Sequence, residues 1–352
     1  MNILTLNIGS SSIKYVVFKA DDTCLEQATG HIETPRTAPW TWSHQGTTQT
    51  STFHTLSDAL DALFESLDPQ PDLIAHRIVH GGSDFTEPTL IGPEALEQLM
   101  PLATLAPEHN PKQFECIQHC LHNHPKLQNI ALFDTAFHQT LPPVASTYAI
   151  PESWRTTLGL RRFGFHGLSH EYVSQRAARA LKHTTITAIS CHLGNGASLC
   201  AIQNGKSIDT SMGYTPLSGL VMGTRSGDID PEIIQAAHDQ THMPYAEIFK
   251  QLNTESGLYG LCGDSDLRTI TQRCEAQDAT AQLALDTFCY RIKAYIGAYT
   301  AILGPIDALI FTGGIGEHSP RVRQLSTNGL SHLGITLDAQ RNTSATSVDD
   351  II

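Results

Sequence analysis

Apolar positions in the first third of the chain alternate between short runs and helical spacing. Ile3–Leu6 and Ile13–Phe18 are apolar runs separated by Asn7-Ile8-Gly9-Ser10-Ser11-Ser12, which predicts a β-hairpin. Leu60, Leu63, Phe64 and Leu67 then recur at i, i+3, i+4 and i+7 behind Ser57, the pattern of an amphipathic helix capped by that serine. Leu73-Ile74-Ala75 and Ile78-Val79 predict a buried strand ending in Gly81-Gly82. Asn110-Pro111 supplies a cap and a first-turn proline to a helix with Phe114, Ile117 and Leu121 on one face. Ile130-Ala131-Leu132-Phe133 is another buried strand and delivers Asp134 at its C-terminal end.

The second half opens with an echo of the first. Leu4-Thr5-Leu6-Asn7-Ile8-Gly9 aligns with Ile189-Ser190-Cys191-His192-Leu193-Gly194 at a constant offset of 185 residues, and each segment leads through a small-residue turn into a second strand. A long helical stretch follows from about Ala279 to Leu303, stopped by Gly304-Pro305. The strand Ala308–Phe311 feeds Gly313-Gly314-Ile315-Gly316, and Ser319-Pro320 restarts a helix. The expectation is a duplicated α/β chain with domains at 1–148 and 149–352, whose glycine turns face a ligand cleft.

Length and composition narrow what such a chain does. With 352 residues it has room for two domains and a large core, and 40% hydrophobic with 16% charged residues describes a globular protein. The net charge of −13, with no basic stripe, argues against nucleic acid or anionic lipid as partner. Any bound anion must be held by local groups. The start lacks a basic n-region and no apolar run is long enough to span a bilayer, so no signal peptide or membrane span is expected. Eight scattered cysteines without CxxC spacing fit reduced thiols in a cytoplasm.

Three small-residue turns follow strands: Gly9-Ser10-Ser11-Ser12, Gly194-Asn195-Gly196-Ala197-Ser198 and Gly313-Gly314-Ile315-Gly316. Each alone reads equally as a tight turn or as a backbone cradle for an anion; three on a duplicated α/β frame favour phosphate. Asn204-Gly205-Lys206-Ser207 imitates the end of a P-loop, but Cys200 stands where its first glycine belongs, so Asn204-Gly205 reads as a type I′ hairpin turn. Arg77, in His76-Arg77-Ile78-Val79-His80-Gly81-Gly82, and Arg225, in Met222–Pro231, stand in apolar or glycine-rich settings where a guanidinium must meet an anion, either a ligand or an internal carboxylate. Asp134 suits Mg²⁺ or caps the next turn. Arg161–His170 places two arginines and two histidines around glycines, which makes His166 a candidate substrate contact. Cys116, His119, Cys120, His122 and His124 imitate metal-ligand spacing, but the amphipathic helix accounts for both cysteines.

Taken together, Asn7–Lys14, the Arg77 segment, Phe133–His138, Phe163–His170, His192–Ser198, Asp209–Gly213, the Arg225 segment and Phe311–Glu317 resemble, in order along nearly the whole chain, the acetate kinase (acetokinase) family of short-chain acyl kinases. The resemblance implies an α/β fold of duplicated ribonuclease-H-like, actin-like ATPase domains around a nucleotide cleft. It implies a cytoplasmic homodimer that transfers the γ-phosphoryl group of ATP to acetate, reversibly and in line, with Mg²⁺ or Mn²⁺, giving acetyl phosphate and ADP. Arg77, Asp134, His166 and Arg225 would be catalytic, Asn7 would serve the metal, and Arg77, Val79, Phe165 and Pro216 would bind the acyl substrate. Lys14, His192, Leu193, Gly194, Asn195, Gly196, Asp266, Leu267, Arg268, Gly314, Ile315 and Gly316 would bind nucleotide.

The sequence departs from the family pattern at three places. Glu108 stands where a leucine commonly lines the acyl pocket, and His318 replaces the usual asparagine after Gly-Ile-Gly-Glu. The chain stops at Asp349-Asp350-Ile351-Ile352, whereas the family continues through a segment that supplies a Mg²⁺-associated glutamate. Two other readings follow from these departures: a propionate or other short-chain acyl kinase, and a nucleotide-binding protein without turnover.

Overall fold

The computed structural model describes residues 1–9, 12–21, 24–33, 40–44, 46–50, 53–345 and 351–352, with Gln49 described for its backbone alone. The chain divides into two compact units, Met1–Ala136 and Phe137–Ile352.

In the first unit β1 (Asn2–Ile8), β2 (Ser12–Lys19), β3 (Glu26–Glu33), β4 (Thr41–His44) and β5 (Thr47–Thr50) form an antiparallel meander. After α1 (Leu56–Ser66) the chain enters β6 (Leu73–Ile78), β7 (Thr89–Leu90), α2 (Pro93–Leu99), α3 (Asn110–Asn123) and β8 (Gln128–Phe133). The strand order among the described residues is β5-β4-β3-β2-β1-β6-β8-β7, with β6 parallel to β1 and β8 parallel to β6. One sheet face is closed by α1 and α3, where Leu60, Leu63 and Phe64 pack against Leu4, Leu6, Cys116 and Cys120.

The second unit begins with α4 (Pro143–Ser146), α5 (Glu152–Leu158) and α6 (Gly167–Ala180), then β9 (Ala188–Leu193), β10 (Ala197–Gln203) and β11 (Lys206–Thr210). Helices α7 (Glu232–Thr241), α8 (Tyr245–Thr254), α9 (Gly257–Cys262), α10 (Leu267–Glu275) and α11 (Ala279–Leu303) precede β12 (Ala308–Thr312), α12 (Gly313–His318), α13 (Pro320–Thr327) and α14 (Ala339–Ser344). Its sheet runs β11-β10-β9-β12, with β12 parallel to β9 and the remaining pairs antiparallel. This repeats β3-β2-β1-β6 of the first unit strand for strand, so the offset seen in the sequence is a duplication of the fold. Three antiparallel strands followed by a parallel one, in this order, is the ribonuclease-H-like, actin-like ATPase arrangement. The long helix α11 ends where expected, capped by Asp278 at its start and leaving helical geometry at Gly304. Asn204 and Gly205 both have positive φ, 52° and 73°, as a type I′ turn requires.

Four local readings change. The cap of α1 is Thr55, which accepts from the Asp58 N–H while the Asp58 carboxylate reaches back to the Thr55 N–H; Ser57 lies inside the helix. The buried strand expected around Arg77 to run up to Gly81-Gly82 is β6 and ends at Ile78, before Val79, with His76 and Arg77 paired to β8 in the ladder like their neighbours. Asn110 is the first residue of α3 rather than its cap, and its buried side chain binds His80 N–H, His80 C=O and Leu102 C=O. Residues 137–148 fall in the second unit rather than the first, since His138 reaches Ser207 and the Phe165 carbonyl while Thr140 donates to the Ser207 carbonyl.

Candidate active site

The first unit assembles three predicted residues at the C-terminal ends of adjacent strands. Arg77 near the end of β6 donates from Nε to Asp134 Oδ1 at 3.0 Å, from Nη2 to Asp134 Oδ2 at 2.5 Å and from Nη1 to Asn7 Oδ1 at 2.9 Å. Asp134 follows β8 directly and is 2% exposed. Its carboxylate raises the Arg77 pKa above the ordinary value, outweighing burial, so the guanidinium stays charged. Arg77 therefore has an internal carboxylate partner, and Asp134 is its bidentate acceptor rather than the cap of the following turn.

Gln113 of α3 ties the strand ends together, donating to the Ile8 carbonyl and accepting from the Val79 N–H. Val79 itself is buried. Lys14 is exposed on β2, opposite Asn7 in register. Of the first small-residue turn, the Gly9 N–H donates to the Ser12 carbonyl at 2.8 Å, while Ser10 and Ser11 lie outside the described residues. Glu108 is exposed in the turn before α3.

In the second unit, β9 and β10 are joined by Gly194-Asn195-Gly196, closed by Gly194 N–H to Gly196 C=O at 3.1 Å. The Arg225 loop sits on this turn: the Gly223 N–H donates to the Asn195 carbonyl at 2.9 Å, and a Cβ at Gly223 would overlap the Asn195 side chain. A Cβ at Gly196 would lie 3.4 Å from Arg225 Nη1 and 3.6 Å from both Cε1 and Nε2 of His166. Arg225 and His166 therefore converge on one glycine.

The two arginines differ in their partners. Arg225 donates to the Pro216 carbonyl at 3.3 Å and approaches Met222 sulfur at 3.9 Å, and among the described residues no carboxylate pairs with it. Burial alone pushes its pKa down.

His166 is the N-cap of α6 and holds a left-handed backbone conformation, φ 57°. Its ring lies 4.3 Å, centroid to centroid, from His192, which is hydrogen-bonded to Ser169. Phe165 is buried beside it in sequence, with its carbonyl bound to His138. Leu193 is buried at the end of β9.

The residues implied for the adenosine end are spread over two helix starts. Asp266 caps α10 through the Arg268 N–H and pairs with the exposed Arg268 guanidinium at 2.6 Å. Leu267 is buried between them in sequence. Gly314 is exposed and Ile315 half-buried at the start of α12, whereas Gly316 is buried, and His318 is exposed at the helix end.

Several expectations resolve to structure. Arg162 donates to three backbone carbonyls, of Thr210, Ser211 and Met212. Cys116 and Cys120 are buried in α3, His119 pairs with Asp61, and no group of three His, Cys, Asp or Glu side chains poised for a metal occurs among the described residues. The sequence reading missed Gln113, Ser190 and Ser198. Gln113 gave a signal in hindsight, as a polar residue on the apolar face of α3 beside Phe114 and Ile117; the two serines entered the sequence reading only as members of a strand and of a small-residue turn, with no role of their own.

Residues 2–352 match the model of the acetokinase family. An acetate kinase of Sulfurovum sp. (strain NBC37-1) is 44% identical over 98% of this chain and 90% of its own length. One from Campylobacter jejuni is 43% identical over 97% and 90%. Among solved structures, a propionate kinase of Francisella tularensis superposes with TM-score 0.94 at 38% identity, over 99% of this chain and 94% of the other. An acetate kinase of Porphyromonas gingivalis superposes with TM-score 0.91 at 34% identity, over 98% and 91%.

Proposed function

Because this chain belongs to the acetokinase family, matched over residues 2–352, we propose that it is an ATP:acetate phosphotransferase, interconverting ATP and acetate with ADP and acetyl phosphate. The observation that carries the reading is Arg225, a half-buried guanidinium without a carboxylate partner among the described residues, brought together with His166 on a glycine turn. Such a charge is costly unless an anion completes it, and a transferring phosphoryl group is that anion.

The chemistry asked of the chain is mainly electrostatic. In-line transfer spreads negative charge over three equatorial oxygens, and hydrogen-bond donors already in place stabilise that charge more than they stabilise bound substrate. Arg225 and His166 supply donors from the second unit. Arg77, held by Asn7 and Asp134, would supply donors as well. The acceptor carboxylate is ionised before it reacts, so no general base is needed. Val79, Phe165 and Pro216 would contact the acyl group, and Lys14, His192–Gly196, Asp266–Arg268 and Gly314–Gly316 the nucleotide.

A magnesium ion carried by ATP would find hard oxygen donors at Asn7 Oδ1 and the Asp134 carboxylate, which converge on the Arg77 guanidinium. It would offset charge on the phosphates. We further propose a homodimer in the cytoplasm, a compartment that suits the cysteines, all of them free thiols. No helix among the described residues is long and apolar enough to cross a membrane.

A second reading, propionate as the preferred acceptor, is favoured by the likeness to the propionate kinase. The chain's exposed Glu108, standing where the family commonly has leucine, points the same way by leaving the acyl pocket one side chain short. Trapping the acyl phosphate as its hydroxamate with acetate, propionate and butyrate tests both. Product with acetate at the highest kcat/KM supports acetate kinase; a higher value with propionate replaces it by propionate kinase; no hydroxamate with any acid removes the kinase reading.

A further inference from the structure

His166 is backed by three buried side chains that form a line of hydrogen bonds. His166 Nδ1 lies 2.9 Å from Ser198 Oγ, Ser198 Oγ lies 2.8 Å from His170 Nε2, and His170 Nδ1 lies 2.5 Å from Ser190 Oγ. Ser190, His170 and Ser198 are each 0% exposed, so solvent does not complete their bonding.

Counting hydrogens gives this line a direction. Among the described residues, the Ser190 hydroxyl has one hydrogen-bond partner, His170 Nδ1. If that nitrogen carried a hydrogen, the Ser190 hydroxyl hydrogen would be buried without an acceptor, a loss that folded proteins avoid. Ser190 therefore donates, and His170 is a neutral ring with its hydrogen on Nε2. Burial, reinforced by the neighbouring His138 and His192, holds the His170 pKa well below its ordinary value, in accord with a neutral ring. Nε2 of His170 then donates to Ser198 Oγ, which leaves the Ser198 hydroxyl hydrogen for His166 Nδ1. An acceptor at Nδ1 places the His166 hydrogen on Nε2, one of the two ring atoms that lie against Gly196.

We propose that Ser190, His170 and Ser198 are positioning residues that lock His166 in its Nε2–H tautomer, so that the ring presents a donor and no lone pair on the side shared with Arg225. The consequence for catalysis rests on the acyl kinase reading; the tautomer does not. A lone pair on Nε2 would repel the phosphoryl oxygens. A second hydrogen, on Nδ1, would require the whole line to reverse, leaving the Ser190 hydroxyl hydrogen stranded. His166 therefore works as a neutral donor beside Arg225 rather than as a base.

The test uses the full chain labelled with ¹⁵N in the histidine rings. Long-range ¹H–¹⁵N spectra of the wild type are expected to show His166 with an unprotonated, hydrogen-bonded Nδ1 and a protonated Nε2. Ser198→Ala and Ser190→Ala should both move these signals toward mixed tautomers. Ser198→Ala should lower kcat on the order of tenfold, with KM for acetate and ATP changed by less than about twofold, and Ser198→Thr, which keeps the hydroxyl, should recover kcat. A wild-type His166 protonated at Nδ1 would overturn the proposal. So would a folded Ser198→Ala with unchanged spectrum and kcat. Should Ser198→Ala fail to fold, Ser190→Ala decides, since it breaks the line two side chains away from His166. A locked Nε2–H tautomer in a wild type that forms no acyl phosphate would support the relay while removing the kinase reading.

Discussion

Arg77 and Asp134, 57 residues apart in the chain, meet through two parallel hydrogen bonds, Nε to Oδ1 at 3.0 Å and Nη2 to Oδ2 at 2.5 Å. The pair joins the ends of two neighbouring parallel strands, and the third donor of the guanidinium reaches Asn7 on the strand beyond. Three strand ends are thereby held in one arrangement by a single side chain.

The first prediction separates the two duties of Arg77. Arg77→Ala should lower kcat on the order of 10³-fold and also destabilise the protein by about 2–3 kcal/mol, because Asp134 is left buried without its partner. Combining Arg77→Ala with Asp134→Ala should restore most of the stability and none of the activity. Urea denaturation beside a turnover assay decides; a double variant as unstable as the single one would show that the pair is not the cause.

Arg225 should behave in the opposite way. Burial lowers its pKa and no carboxylate among the described residues offsets this, so the folded state disfavours its charge. Arg225→Ala is expected to lose on the order of 10³-fold in kcat while its Tm stays level or rises. A clear fall in Tm would mean that an unrecognised partner stabilises the guanidinium.

The Arg225 loop is also tied to the long helix α11. Asp228 accepts from the Gly219 N–H at 2.7 Å and from the Tyr295 hydroxyl at 2.5 Å. Burial and the Asp228 carboxylate both push the Tyr295 pKa up, so the phenol keeps its hydrogen. Tyr295→Phe should lower kcat by about fivefold and cost about 1 kcal/mol of stability. Unchanged kinetics with lowered stability would confine Tyr295 to a packing role.

Acid should weaken the first unit through two buried histidines. Burial lowers the pKa of His76 and of His80 from 6.5 to about 4, so both rings are neutral in the fold. An unfolded chain binds those protons near 6.5, so this stability is complete above that pH and is lost as the pH falls from 6.5 toward about 4. His76→Gln should reduce the slope of unfolding free energy against pH by about 1.4 kcal/mol per pH unit in that window. Urea midpoints measured across the window check it; an unaltered slope would mean that His76 is protonated in the fold.

Local signals were legible wherever a short stretch carried its own boundary. The end of helix α11 was legible because Gly304-Pro305 stops it, and its start, read as about Ala279, falls where Asp278 caps it. Where two neighbouring residues compete for one role, sequence chose wrongly: Ser57 and Thr55 are equally good caps in isolation, and Asp58 decides between them by reaching back to the Thr55 N–H. Strand β6 was legible as one strand although His76 and Arg77 interrupt its apolar run, and the ladder to β8 continues through both.

By itself the sequence determined the duplication and the family. Both are carried by composition and order within short segments, and backbone propensity and hydrophobic period act over that range. Only the tertiary structure decided which charge meets which. It gave Arg77 a carboxylate and, among the described residues, gave Arg225 none, and it set Ser190 and Ser198 of strands β9 and β10 on either side of His170 behind His166. The reason is that an ion pair or a proton's position depends on distances of a few ångströms between residues far apart in the chain, and packing alone supplies those distances.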